Sequence, residues 1–266
     1  VGSEMCIRDS QMSEMYQQAA RSVDGELLLE VENLWRPPKL RGVSFRLHKG
    51  EILGISGLLG SGRTELARAI YGLDKYEKGE IRVRGNKVHI HSPQEAIKLG
   101  IGFITEDRHR EGLVLDKSVK DNIVLSCLKI FSTRWGWMQP KKEYEAAMRQ
   151  KSNLNIVTPS VLRKVKYLSG GNQQKVVLGK WLEINPEIYI LDEPTRGIDV
   201  GAKAEFYKLI KQLAENGSGV ILISSEIPEI VSICNRVLVL RNGQFTSEFS
   251  GEKINAADIL LAAIGG

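Results

Sequence analysis

The stretch that most constrains this chain runs from 168 to 199. It opens with Leu168-Ser-Gly-Gly-Asn-Gln-Gln-Lys175, continues as a helix-like run, and closes with Glu187-Ile-Tyr-Ile-Leu-Asp-Glu-Pro-Thr-Arg-Gly-Ile-Asp199. The apolar run Ile188 to Leu191 suits a parallel strand buried on both faces. It delivers two carboxylates, Asp192 and Glu193, to the strand's carboxyl end, where open α/β sheets place their ligand crevices. An Asp able to hold a metal, beside a Glu able to position water, is the arrangement that phosphoryl transfer needs.

A second feature lies upstream. Ile52 to Ser56 reads as an apolar strand, Gly57-Leu-Leu-Gly60-Ser61-Gly62-Arg63-Thr64 follows it, and Glu65 to Tyr71 has helical spacing. Strand, glycine-rich loop and helix start form the context of a phosphate-binding loop. The glycines let the backbone approach closely, so successive N–H groups and the helix amino end can cradle phosphate oxygens. Thr64 would offer its hydroxyl to Mg²⁺. Arg63 stands where the pattern calls for lysine, and a planar guanidinium is wider than an ammonium. Nucleotide binding is expected to survive that change; fast turnover is not.

The rest of the chain is consistent with one large α/β domain of 266 residues, 42% of them apolar. No apolar run approaches the roughly 20 residues of a membrane helix, so any membrane role must pass through a partner. The net charge of +5 comes from Lys and Arg interleaved with acids, which reads as a solvated surface and not a nucleic-acid tract. Cys6, Cys127 and Cys234 are far apart, with no CxxC or His pairing. That argues against a disulfide framework and a zinc site and fits reduced thiols in a cytoplasm.

Residues 1–10 fit no element and read as translated adapter sequence, and 11–26 as a linker. Strands are expected over 27–34, 43–47, 79–83, 86–90, 100–104, 219–224, 237–241 and 244–249. Asn242-Gly243 supplies the hairpin turn between the last two. Ser92-Pro93 reads as a helix start. Residues 108–165 change character to mixed-charge helix with breaks, an inserted subdomain in which Trp135 and Trp137 could form a partner surface, though buried or half-buried packing is the more common fate. A short helix is expected in the tail after 250.

Taken in order, the loop at 57–64, Leu-Ser-Gly-Gly at 168–171 and Leu-Asp-Glu-Pro at 191–194 resemble the nucleotide-binding domain of ABC ATPases over roughly 27–250. Gly-Ser-Gly-Arg-Thr-Glu-Leu, Thr-Glu-Asp-Arg and Asp-Glu-Pro-Thr-Arg-Gly-Ile-Asp-Val-Gly-Ala-Lys refine the match. They look like the second domain of tandem ATP-binding subunits serving monosaccharide importers of the ribose, galactose and xylose type. The resemblance implies a P-loop α/β fold with a mostly parallel core sheet, an antiparallel β subdomain and an inserted helical subdomain.

It also implies ATP and Mg²⁺ as ligands, and roles where residues match. Trp35 falls where an aromatic ring stacks on adenine, with core packing as the alternative. Gly57, Gly60, Ser61, Gly62, Arg63 and Thr64 form the phosphate loop. Asp192 would sit near Mg²⁺, Glu193 at the position of the catalytic base, and Asp199 where domains communicate across a dimer. Ser169, Gly170, Gly171 and Gln173 belong to the signature that closes over ATP held by the opposite domain. Two further positions depart: Glu106 stands for a glutamine and could still hold metal or water, and Ser225 stands for a histidine, whose proton shuttling it cannot replace.

The implied partners are a first nucleotide-binding domain, integral membrane permease subunits and, indirectly, a periplasmic sugar-binding protein. That would place the chain on the cytoplasmic face of the bacterial inner membrane. The expected function is a weakly or conditionally hydrolysing ATP-binding domain whose signature completes a partner's site. The alternatives are a non-hydrolysing structural module and an importer ATPase for nucleosides or a signalling sugar.

Overall fold

The computed structural model describes residues 25–265. The expected non-native segment 1–10 and linker residues 11–24 lie outside the described residues. Strands β1 (Leu27–Arg36) and β2 (Leu40–His48) pair antiparallel. β2 shows why: Leu40, Val43, Phe45 and Leu47 are buried while Arg41, Ser44 and Arg46 are exposed, the period-two pattern of a sheet with one face on the core. After a turn, β3 (Ile52–Ser56), buried at every residue, enters a different sheet and leads through the glycine-rich loop into α1 (Arg63–Ile70). β4 (Lys78–Val83) and β5 (Asn86–Val88) return to the first sheet, whose order is β2-β1-β4-β5.

Helix α2 (Pro93–Lys98) is capped by Ser92, whose Oγ accepts from Glu95 N–H at 3.4 Å, and leads into β6 (Ile101–Ile104). A helical segment follows, with α3 (Val119–Val124) and α4 (Pro140–Asn153). Their apolar faces, including Val119, Ile123 and Ala147, join the main core together with Leu154 just after α4 by packing on α5 (Gly170–Leu182). The chain then alternates β7 (Ile188–Asp192), α6 (Val200–Glu215), β8 (Gly219–Ile223), α7 (Ile227–Ile233), β9 (Arg236–Arg241) and β10 (Gln244–Ser250). The second sheet has the order β10-β9-β3-β8-β7-β6. It is parallel except for β10, which returns beside β9 through Asn242 and Gly243, both at positive φ.

The mixed architecture matches the expectation: a mostly parallel core, an antiparallel sheet and an inserted helical part. The short helix expected in the tail is present as α8 (Ala256–Ile264), which buries Ile259 and Ala263 against β9 and α7 and so adds to the core. One detail differs from the sequence reading: Trp135 and Trp137, expected to pack, are 84% and 75% exposed. The cause is a tight local turn: Ser132 bridges Met138, Thr133 N–H donates to Trp137 O at 2.8 Å, and Gly136 supplies the positive φ at its tip. Both rings are held out on this turn.

Candidate phosphate-binding site

Register aligns the carboxyl ends of the parallel strands. Ile55 of β3 lies opposite Ile223 of β8, Asp192 of β7 also lies opposite Ile223, and Leu191 lies opposite Ile104 of β6. One edge of the sheet therefore carries, side by side, the glycine-rich loop, Ser224-Ser225, Asp192-Glu193 and Thr105-Glu106. Distant parts of the sequence meet where such sheets bind ligands.

The loop bends as its glycines allow. Gly62 precedes α1 at φ 109°, and a Cβ there would lie 2.6 Å from Lys39 O. Gly60 also has positive φ (80°) but faces open space, with nothing within 4 Å of a Cβ. Leu58 and Leu59 are exposed, while Ser61, Gly62 and Arg63 are buried. No side chain caps α1, so its first N–H groups are available to an anion.

Buried polar atoms without hydrogen-bond partners gather here: Ser61 Oγ and both carboxylate oxygens of Asp192. Such orphans are costly unless a ligand completes them. Burial pushes the Asp192 carboxyl up to about 6; the nearby Thr64 hydroxyl and Arg63 oppose the push, and Glu193 and Glu65 add to it. A carboxylate that is 1% exposed, unpaired and beside a threonine hydroxyl has the chemistry of a hard-cation ligand. Asp192 and Thr64 therefore fit Mg²⁺.

Arg63 does not project into an open crevice. Its side chain is 7% exposed and its Nη1 lies 3.3 Å from Glu193 Oε1. Ser225 Oγ donates to the other oxygen, Glu193 Oε2, at 3.1 Å. The residue at the lysine position and the residue at the histidine position thus both engage the Glu193 carboxylate. Glu193 itself sits at φ 47°, an uncommon conformation for a side chain of its kind.

Glu106 is half-buried and forms an ion pair with Arg196 from the loop after β7. Trp35 is half-buried, lies outside the core, and is held by a hydrogen bond from its Nε1 to Asn33 Oδ1 at 2.8 Å. Ser169, Gly170 and Gly171 open α5 some distance along the surface. Ser169 is exposed, accepts from Asn172 Nδ2 at 2.9 Å and gives the helix no side-chain cap, and no acidic residue occupies the first turn. The positive end of α5 is therefore free. Gln173 is buried, its amide donating to Val165 O at 3.3 Å. Asp199 is exposed and caps α6 by accepting from Ala202 N–H at 3.0 Å.

Thr195, Ser224 and Glu229 were not expected at this edge. The Ser224 and Thr195 hydroxyls both donate to the buried Glu229 carboxylate, Thr195 at 3.1 Å, tying the loop after β7 to the loop after β8. Burial raises the Glu229 carboxyl to about 7. Only a Ser one residue beyond β8 and a Thr three residues beyond β7 hint at this in the sequence, and the Glu on α7 gives no local signal. Among the described residues, no group of three or more His, Cys, Asp or Glu is gathered as a metal site.

A glycine-rich loop leading into a helix, a buried Asp and a Glu at the end of β7 on the same sheet edge, and a glycine-led helix start that follows an inserted helical segment define an ATP-binding-cassette domain. The chain belongs to the ABC transporter family, whose model matches residues 40–196, more than half of its length. It is 48% identical over 241 residues to a ribose import ATP-binding protein of Rubrobacter xylanophilus, covering 91% of this chain and 48% of that protein. It is 44% identical over 256 residues to the ribose import ATP-binding protein of Bacillus subtilis, covering 96% and 52%. The chain thus spans about half the length of the curated relatives it matches. The crystal structure of a nucleotide-free ATP-binding cassette from an ABC transporter is similar at TM-score 0.77 and 23% identity, covering 90% of this chain and all of that one. A cassette dimer bound to ADP and Pi is similar at TM-score 0.70 and 25% identity, covering 86% and 100%. These likenesses establish the fold.

Proposed function

We propose that the chain is the second nucleotide-binding domain of a tandem subunit that energises monosaccharide import. It binds MgATP at its own loop, hydrolyses it slowly, and lends its signature to the site of the first domain. The observation that carries this reading is the Arg63–Glu193–Ser225 cluster in a chain whose signature helix starts at an exposed Ser169 with no side-chain cap. A general base whose two oxygens already face a guanidinium and a serine hydroxyl is less free to position water, and that cation is drawn away from the phosphates it would serve. Asp192 and Thr64 would hold Mg²⁺, which when bound neutralises charge on the phosphate oxygens. Ser61, the α1 N–H groups and Trp35 would orient the nucleotide.

Sugar specificity would lie with permease and periplasmic partners, the permease holding this chain at the cytoplasmic membrane face. The similarity to ribose importers over most of this chain supports a monosaccharide over a nucleoside.

The test is MgATP binding and hydrolysis by the chain at concentrations that allow self-association. Binding with little turnover is the expected result. Fast turnover abolished by Glu193→Gln would mean that Arg63, Glu106 and Ser225 build an efficient site, and the division of labour would fall. In the tandem protein, Ser169→Arg should cripple transport and Glu193→Gln should be milder; equal severity would refute the asymmetry.

A further inference from the structure

Arg108 has no part in the site chemistry above, yet its guanidinium bonds to two separate parts of the chain. It opens a π-helical turn, Arg108–Gly112, capped by Asp107, whose Oδ1 accepts from His109 and Arg110 N–H at 3.1 Å each. Turns of this kind are rare and gather at functional sites. This one is fastened to α5 at both ends. Arg108 Nε and His109 Nε2 both donate to Gln173 Oε1, at 3.3 and 2.8 Å, and Lys180 Nζ donates to Gly112 O at 2.8 Å.

The same guanidinium also reaches the loop between β7 and α6. Nη1 donates to Arg196 O at 2.8 Å and Nη2 to Gly197 O at 3.5 Å. One side chain therefore joins the signature helix, through Gln173, to the backbone that leads into Asp199. The packing there is close: a Cβ on Gly170 would lie 2.9 Å from both Arg108 Nη2 and Gly197 O, and one on Gly171 would lie 2.7 Å from the Ala202 Cβ. Above this layer Ser169, Arg196 and Asp199 are exposed.

We propose that Arg108 is a positioning residue that holds the Ser169–Gly171 signature and the 195–199 loop in one register, so that both meet a partner domain as a single surface. This rests on the reading of the signature as half of a composite ATP site. The planar fork of arginine presents several donors in fixed directions and can serve a side-chain oxygen and two carbonyls together. A lysine ammonium is a single point and cannot span them. The Glu106–Arg196 ion pair joins the segment that carries Arg108 to the 195–199 loop, and Lys180 Nζ still holds Gly112 O to α5. Removing Arg108 therefore disturbs the register without detaching its segment from either side.

The test is amide hydrogen exchange by mass spectrometry on the wild-type chain, Arg108→Ala, Arg108→Lys and Gln173→Ala, with ATP affinity measured separately by titration of a fluorescent analogue. In Arg108→Ala, exchange should rise at least about fivefold in both 169–174 and 195–199, while 57–64 and 219–223 stay within about twofold and ATP affinity within about threefold. Arg108→Lys should fail to restore protection to either segment. Gln173→Ala should free 169–174 and leave 195–199 largely protected. Saturating MgATP at high chain concentration should protect 169–174 in the wild type and not in Arg108→Ala.

The proposal is overturned if Arg108→Ala leaves both segments protected, frees only one of them, or loosens the whole chain. It is also overturned if lysine restores the protection, or if bound MgATP leaves the wild-type signature unprotected. Failure of the wild type to bind MgATP at all would instead remove the proposed function, with the nucleotide-free exchange pattern still deciding whether Arg108 fastens the two segments.

Discussion

Exchanging Glu193 for glutamine keeps the shape of the side chain and removes its charge, leaving Arg63, whose side chain is 7% exposed, without its partner. At the observed 3.3 Å, the attraction in an effective dielectric near 20 is about 5 kcal/mol. Desolvation of both ions cancels much of it, yet stranding one buried charge costs about 3 kcal/mol. Glu193→Gln and Arg63→Met should each destabilise the nucleotide-free chain by about that amount. The double variant, which strands no charge, should be less destabilised than the two changes summed, by about 2 kcal/mol. Urea denaturation followed by circular dichroism measures all three.

The same pair sets a second expectation. ATP phosphates must draw Arg63 away from Glu193 in the wild type, but find it free in Glu193→Gln. ATP should therefore bind about tenfold tighter to that variant, equivalent to about 1.4 kcal/mol. The excess should vanish in the Arg63→Met background. Strictly additive stability losses, or Glu193→Gln binding ATP no tighter than the wild type, would refute the claim that Arg63 and Glu193 hold each other in the empty site.

Three further outcomes are expected. Gly62→Ala meets Lys39 O at 2.6 Å as well as the left-handed backbone, so it should lower stability by several-fold more than Gly60→Ala, which faces open space and costs about 1–2 kcal/mol from φ alone; thermal melts compare them. Glu229, with its carboxyl raised to about 7 from 4.5, binds its proton more tightly in the folded state. Its contribution is fully present below about 4.5 and lost as pH rises through about 7, worth about 3 kcal/mol in all. Glu229→Gln should flatten that part of the pH–stability curve, and an unchanged wild-type-like slope would remove the assignment. Trp135→Ser with Trp137→Ser, both rings being mostly exposed, should change the unfolding free energy by less than about 0.5 kcal/mol, and a larger loss would show that the rings pack.

The strands and most helices were legible because each carries its own period or punctuation. β3, β7 and β8 are apolar throughout and buried throughout, β2 alternates, and Ser92-Pro93 and Asn242-Gly243 mark a cap and a turn. The phosphate loop and the Asp192-Glu193 pair were legible for the same reason: their spacing to the strand ends is local. What each charged group meets was not. Glu106, read as able to hold metal or water, also meets Arg196, which no local pattern announces. The Trp135–Trp137 segment looked like packing and is a projecting turn. Arg108 stood within the Thr-Glu-Asp-Arg run without a task, because its acceptors at Gln173, Arg196 and Gly197 are far away in sequence.

The sequence by itself determined the fold class, the order of the elements and the loop that can cradle phosphate, since periodicity, glycine placement and strand-end chemistry are read within a few residues. Only the tertiary structure decided that Arg63 and Ser225 both engage Glu193, that Asp192 is buried with both oxygens unsatisfied, and that one arginine joins the signature to the loop before Asp199. Those facts depend on which strand lies beside which. The order β3-β8-β7-β6 brings together side chains from four separate parts of the chain, and the pairing of buried charges is fixed by the geometry of that edge.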